Sequence, residues 1–510
     1  MARRTTADRE ASRLPSFAIA LTCNTLAMVA GLVLALALVL GGGTRQGLWS
    51  DAVVELAGLV LSAALLPILL QPTFVLRQKA VATIVGLILL LPLVQLVGMP
   101  PALWTLLPGR NLIADGYGAA GMALPWLPIS LDPAATWRSW LSLVPPVAAF
   151  LATLSLGHET RRRLSLLILA ACVFSVLLGL AQVMQGGTSP LRLYPVTNAG
   201  NSVGFFANRN HYAALLYAGI PFTAAWIKGL VADGRTDRIF GLALALIVFA
   251  ALILGLGMAL SRAGISLALA AALASLLLVG ARQPQFSRRG LVVMMGATAV
   301  GAILVVQFAL FDLLARFDGE MLADYRLTIA QTTITAAKAE QPTGAGFGTF
   351  VPVYQMFERP EGLLPDYVNH AHNDWLELWL EGGWPGLALL GAFLLWLAFA
   401  TVRTWWPADT EDGDPLDIAL AQAGSIVILL LLLHSLVDYP LHTTAMATVF
   451  AFCCGLLVKP QRLPKAEWPR LEWKSRSHHR QRHTFVASHA SGLSRIGHPR
   501  PPVAPAPEAH

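Results

Sequence analysis

The sequence predicts an all-α polytopic membrane protein of about twelve transmembrane helices, and three observations carry that prediction. Hydrophobic residues make up 55% of the 510 residues and charged residues 13%, against roughly a quarter charged in soluble globular chains. Apolar runs of about 20 residues, the length of a bilayer-crossing helix, recur along the chain. The segments between them are richer in Lys and Arg on one side than on the other, as the positive-inside rule requires. The first observation alone excludes a soluble enzyme, a disordered regulator and a secreted disulfide scaffold.

Taken in order, the spans fall at 17–40, 51–70, 80–98, 137–157, 165–185, 210–227, 239–260, 264–280, 290–311, 376–401, 418–437 and 442–458. The run 291–311 is free of charge. Residues 1–16 form a cytoplasmic N-terminus, and no small-residue cleavage site follows them before the next polar turn, so the first span is expected to be retained. With that terminus inside, 26 of the 36 Lys and Arg lie on the inner side. Discounting the 10 in the tail leaves 16 inside against 10 outside, which keeps the sign. The outer ten are Arg45, Arg110, Arg138, Arg192, Arg209, Arg262, Arg316, Arg326, Lys338 and Arg359. Arginine suits bidentate phosphate recognition; lipid headgroups and loop ion pairs are the other uses for it there.

The membrane domain, 17–458, holds one large outer loop, 312–375, between helices nine and ten. In it ADYRLTIAQTTITAAKAEQ predicts a helix ending before Pro342, and GAGFGTF predicts a tight Gly-rich turn. Loop 99–136 is rich in turn residues, carries Trp104 and Trp126 with Trp137 just beyond, and is expected to act as a lid or interfacial loop. The tail, 459–510, is basic, His-rich and Pro-rich, and predicts disorder on the cytoplasmic side. Its SHHRQRH run lacks a fixed framework for a metal. The four cysteines, Cys23, Cys172, Cys453 and Cys454, lie in apolar stretches and read as buried hydrophobes. No internal repeat is visible.

Polar clusters gather on the predicted outer face. Asn208, Arg209, Asn210 and His211 stand where a loop enters the sixth span; an Asn cap accounts for one of them. Arg262, in ALSRAGISLA, stands between two apolar spans, where a charge is costly and points to function, with snorkelling to headgroups as the alternative. GAGFGTF has neither a preceding strand nor a following Lys-Ser/Thr, so it is neither a Rossmann nor a P-loop phosphate cradle. The run NHAHNDWLELWLEGGWPG, 369–386, is the most specific. Asp374 and Glu377 have capping-box spacing and suit a helix N-terminus. His372 precedes them; a neutral imidazole there either takes a proton from a sugar hydroxyl or is an interfacial histidine. His370-x-His372 lacks a third metal ligand in register. Asp438, in HSLVDYPLH, is expected to orient an arginine or cap a turn. Asp412-Gly-Asp414 looks like a DxD of metal-dependent sugar transferases but lies on the opposite side, in an acidic solvated turn.

Together these residues resemble the O-antigen ligase and polymerase superfamily. His372-Asn373, nine residues, then Gly383-Trp-Pro-Gly386 resembles its signature. NRNHYA (208–213), SRAG (261–264), GAGFGTF (344–350) and HSLVDYPL (434–441) resemble its other segments in the same order. The similarity covers about 200–460. The resemblance implies a GT-C-like glycosyltransferase that takes a glycan from undecaprenyl diphosphate at the periplasmic face, without metal, nucleotide or other cofactor. It implies His372 as base and Arg209, Arg262 and Arg326 as diphosphate ligands. Asn208, Asn210, His211, His370, Asn373, Asp374, Glu377 and Asp438 would support them. The expected product is lipid A–core glycan made by an inverting ligase in a bacterial inner membrane, with both termini cytoplasmic and no nucleic-acid partner. Polymerases of the same fold and protein O-oligosaccharyltransferases are the alternatives. A lipid-carrier or solute transporter is the rival from another class, but only Glu55 and His434 are ionisable groups well inside spans.

Overall fold

The computed structural model describes residues 16–45, 47–70, 78–233, 238–280, 321–360, 363, 367–406 and 414–459. The predicted span 290–311, Arg316, Asp412, nearly all of the N-terminal segment and the tail beyond residue 459 lie outside the described residues.

Within them the chain is helical. In order it forms α1 (Ser16–Leu40), α2 (Trp49–Leu69), α3 (Lys79–Gln95), α4 (Pro101–Trp104), α5 (Asn111–Ala119), α6 (Pro133–Ser142), α7 (Val144–Ser155) and α8 (His158–Gln185). Then follow α9 (Arg209–Asp233), α10 (Arg238–Ala259), α11 (Arg262–Gly280), α12 (Met321–Ala339), α13 (Phe350–Phe357), α14 (Asp374–Trp405), α15 (Pro415–His434), a 3₁₀ turn (Pro440–His442) and α16 (Thr444–Leu456). Seven of the described helices are long and apolar enough to cross a membrane: α2, α8, α9, α10, α11, α14 and α15. Shorter apolar helices at Asn24–Leu40, Lys79–Gln95 and Thr444–Leu456 accompany them. The protein is therefore a multi-pass membrane protein.

The span expected at 137–157 is two helices, α6 and α7, that meet at Leu143. Pro145 and Pro146 are the reason. Proline is accepted in the first turn of a helix, and two in succession remove two interior N–H donors, so a start just before the pair suits them.

Helix α9 is the centre of the molecule, packed against α10, α11 and α15. Its aromatic side chains Tyr212, Tyr217 and Phe222 are fully buried. Gly264 of α11 lets the two backbones approach: a Cβ there would stand 2.5 Å from the Cβ of Ala213. Small residues do this at helix contacts in lipid, where apolar burial gives no drive. Peripheral helices instead expose Phe240, Leu277 and Leu395, as lipid-facing surfaces do. An apolar crevice of about 210 Å³ runs between α3, α7, α14 and α16 and reaches Leu441.

Polar bonds hold the two ends of the bundle. At one end Arg161 donates to the Thr153 and Val458 carbonyls, Arg162 pairs with Asp414 and Asp417, and buried Lys228 donates to the Leu278 carbonyl. Asp414 thus serves as the α15 cap, with its side chain accepting from Leu416 N, and as an ion-pair partner. At the other end the Asn369 amide donates to Thr44 O, Ala445 N to Gly41 O and Ser202 N to Met258 O.

Candidate active site

That second end collects the polar clusters. The Asn208 carbonyl accepts from Tyr212 N (3.0 Å) and its side chain from Asn210 N (2.8 Å), which starts α9 and turns Asn210 inward. The Asn210 amide donates to Asp438 Oδ2 and accepts from the Ser261 hydroxyl at 2.8 Å. Ser261 in turn accepts from Gly264 N at 3.0 Å and so caps α11. His211 is fully buried; its Nε2 lies 4.0 Å from Asp438 Oδ1, and neither ring nitrogen has a hydrogen-bond partner among the described residues.

Asp438 is 1% exposed and joins the two halves of the site. Its Oδ1 accepts from Tyr439 N at 3.0 Å and faces His372 Nδ1 at 3.3 Å. Burial alone would raise the Asp438 carboxyl pKa; the hydrogen bond from His372 and the fields of His211, His372 and His434 outweigh it and hold the group well below the usual carboxylate range. An ionised carboxylate only accepts, so the proton of neutral His372 sits on Nδ1 and the lone pair on Nε2. His372 has φ of 49°, a left-handed conformation uncommon outside glycine, and its side chain is 26% exposed. Such backbone strain recurs at functional sites. The Tyr439 ring packs against the imidazoles of His211, His370 and His372 at centroid distances of 4.8, 4.3 and 4.9 Å. Asn369 and Asn208 reach its hydroxyl.

The expected capping box is corrected. The cap of α14 is Asn373, whose Oδ1 accepts from Trp375 N and Leu376 N, both at 3.0 Å. Asp374 and Glu377 therefore point elsewhere. Asp374 accepts from the Ser435 hydroxyl and lies 2.6 Å from His442 Nδ1. Glu377 binds His370 Nδ1 (2.8 Å), Ala371 N (2.8 Å) and His442 Nε2 (3.1 Å). Burial alone would lower the His442 pKa; the Glu377 and Asp374 carboxylates outweigh it and raise it well above the ordinary range.

Two of the three arginines adjoin residues of this core along the chain, Arg209 beside Asn210 and Arg262 beside Ser261. Arg209 opens α9 and is held by Asn198 and Asn201, its Nη1 3.1 Å from Asn201 Oδ1. Arg262 is the exposed first residue of α11, one position after Ser261. Arg326 is exposed on α12 and within electrostatic reach of His434, whose Nδ1 meets the Tyr217 hydroxyl at 3.0 Å.

GAGFGTF is a positioning turn. Gly383 breaks α14 with φ of 57° and ψ of −154°. Pro385 has no N–H, so the Glu381 carbonyl loses its helical partner. Ala345 N and Gly346 N donate to the Leu380 and Glu381 carbonyls at 2.9 and 3.0 Å, and Trp384 N donates to Pro342 O. The turn thus repairs the kink, and Gly344 must lack a side chain because a Cβ would lie 2.4 Å from Glu381 O. Tyr439, Ser261, Ser435, Asn369 and His442 escaped the sequence reading, although His442 and Tyr439 fall inside HSLVDYPLH beside Asp438.

A multi-pass helical protein with a histidine–carboxylate–asparagine core at one end is the class these features define. Residues 245–391 match the family model Wzy_C, O-antigen ligase, so the chain carries a domain of that family of glycan-transferring membrane enzymes. The matched stretch includes Arg262, Arg326, His370 and His372; Arg209 and Asp438 lie outside it. No curated protein matches the chain.

Proposed function

We propose that the protein is an O-antigen ligase-type glycosyltransferase. It moves a glycan from undecaprenyl diphosphate to lipid A–core at the periplasmic face of the bacterial inner membrane. The observation that carries this reading is Asp438 facing His372 Nδ1, which leaves the Nε2 lone pair to act as a base.

His372 Nε2 takes the proton of the acceptor hydroxyl as that oxygen bonds to the anomeric carbon. The bond from that carbon to the diphosphate oxygen breaks, undecaprenyl diphosphate leaves, and the configuration inverts. Asp438 stabilises the imidazolium. Arg209, Arg262 and Arg326 offset the charge that develops on the leaving diphosphate, the task that metal ions perform in DxD enzymes. A positioned base contributes about 10²–10⁴-fold and one electrostatic donor about 10²–10³-fold. The apolar crevice beside Leu441 has the chemistry to take part of the carrier's tail.

The test is transfer by purified protein with undecaprenyl-diphosphate glycan and two acceptors, lipid A–core and free repeat unit. Single addition onto lipid A–core, lost in His372→Ala and lowered in Arg262→Ala, is expected. Laddered lengthening of the carrier-linked glycan would make it a polymerase. Full transfer by folded His372→Ala would remove the base assignment.

A further inference from the structure

We infer that His370, Glu377 and His442 form a divalent-cation site of the zinc class at the rim of the candidate active site, bracing the turn that follows Asp438. The proposal goes beyond the transfer reaction and does not depend on which glycan is moved. His370-x-His372 lacks a third ligand in the sequence; the fold releases His372 to Asp438 and gives His370 two other partners.

The ligand atoms are already gathered. His370 Nδ1 and His442 Nε2 lie 2.8 and 3.1 Å from the same oxygen, Glu377 Oε1. All three atoms fall within 4.8 Å of one another. Zinc bonds of about 2.0–2.1 Å in a tetrahedron place ligand atoms roughly 3.4 Å apart, so small side-chain shifts would admit the ion. Two His and one Glu is also a set that zinc uses when a fourth position is left to water.

The surrounding contacts fit as well. A metal-bound histidine ordinarily donates its other ring N–H to a carboxylate, which fixes its tautomer. His442 Nδ1 faces Asp374 Oδ1 at 2.6 Å. Asp374 is itself held by the Ser435 hydroxyl and Leu441 N. The second oxygen of Glu377 accepts from Ala371 N, leaving Oε1 for the ion. Asp374 and Glu377 both contact the His442 ring, and two carboxylates there favour a cation. The His442 side chain is 29% exposed, which gives the ion a way in. Once bound, the ion would tie the 369–373 segment and the first turn of α14 to the 440–442 turn, next to Asp438.

The experiment uses the full chain in detergent, stripped with a chelator and titrated with Zn²⁺ and Co²⁺. The tail's histidines contribute a background that every variant shares, so the difference between variants is read. Wild type should bind one more Zn²⁺ per chain than His442→Ala or Glu377→Gln. It should melt at a higher temperature with Zn²⁺ than without, and show four-coordinate Co²⁺ absorption that those variants lose. His372→Ala should keep all three properties. Asp374→Asn keeps every ligand and should weaken Zn²⁺ binding about 10–100-fold. Equal stoichiometry and equal Co²⁺ spectra in wild type, His442→Ala and Glu377→Gln would overturn the site. So would an unchanged Zn²⁺ affinity in Asp374→Asn, the variant that retains all ligands if the others fail to fold.

Discussion

Asp438 touches groups from three separated parts of the chain: Asn210 on α9, His372 before α14 and its own neighbour Tyr439. Asp438→Asn keeps the shape but cannot hold the imidazolium that forms in the reaction. Transfer is expected to fall by about 10²–10⁴-fold while the protein stays folded, as a rate assay beside a thermal melt would show. Its pH dependence has a definite sign. A depressed carboxylate contributes stability that is complete above its unfolded pKa of about 3.9 and is lost as pH falls through the lower folded value. The gap in melting temperature between wild type and Asp438→Asn should therefore hold steady from pH 8 to 5 and close only in stronger acid. Sequence reading singled out both Asp438 and His372 but gave Asp438 an arginine or a turn to serve. Their 66-residue separation is bridged only by packing, and no local spacing records that. Asn373 shows the converse: Asn and Asp both cap helices well, and which of two neighbours does so depends on what the other finds across the fold.

Among the helices, α14 depends on its break. Gly383 occupies a conformation essentially restricted to glycine, and a Cβ there would lie 2.4 Å from Pro342 O. Gly383→Ala should cost about 1–3 kcal/mol from backbone strain alone, with more from the displaced turn. Gly391, on the same helix with open space around it, is the control: Gly391→Ala should leave the melting temperature equal or higher. The tight turn at GAGFGTF was legible because three of its residues are glycine. That it mends GGWPG was not, because the bonds run between main-chain groups whose partners no side chain announces. Pro145-Pro146 stands where the span drawn at 137–157 divides into two helices.

Across the whole molecule, the membrane class followed from composition alone, since 13% charge leaves too little polar surface for water. Span boundaries blur where helices are short or apolar on every face. The sidedness inferred from charge makes a prediction: single cysteines at Arg138 and Arg192 should react with an impermeant maleimide added from outside sealed membrane vesicles of native sidedness. Those at Arg163 and Arg403 should react only after permeabilisation. Native Cys172, Cys453 and Cys454 are buried and should stay silent.

Helix lengths along the crevice are unequal. α3 has 17 residues and α14, packed beside it, has 32. At 1.5 Å per residue α3 measures about 25 Å, against a hydrocarbon thickness of about 30 Å, while α14 is broken at Gly383 into two shorter pieces. Thinning of the bilayer is one way a membrane accommodates a span that short. A lipid arriving there would find its headgroup lowered toward the protein's polar end before any specific contact is made, so hydrophobic mismatch itself would guide the approach. Transfer rate should then respond to acyl-chain length in reconstituted vesicles, falling as the host bilayer is made thicker and stiffer.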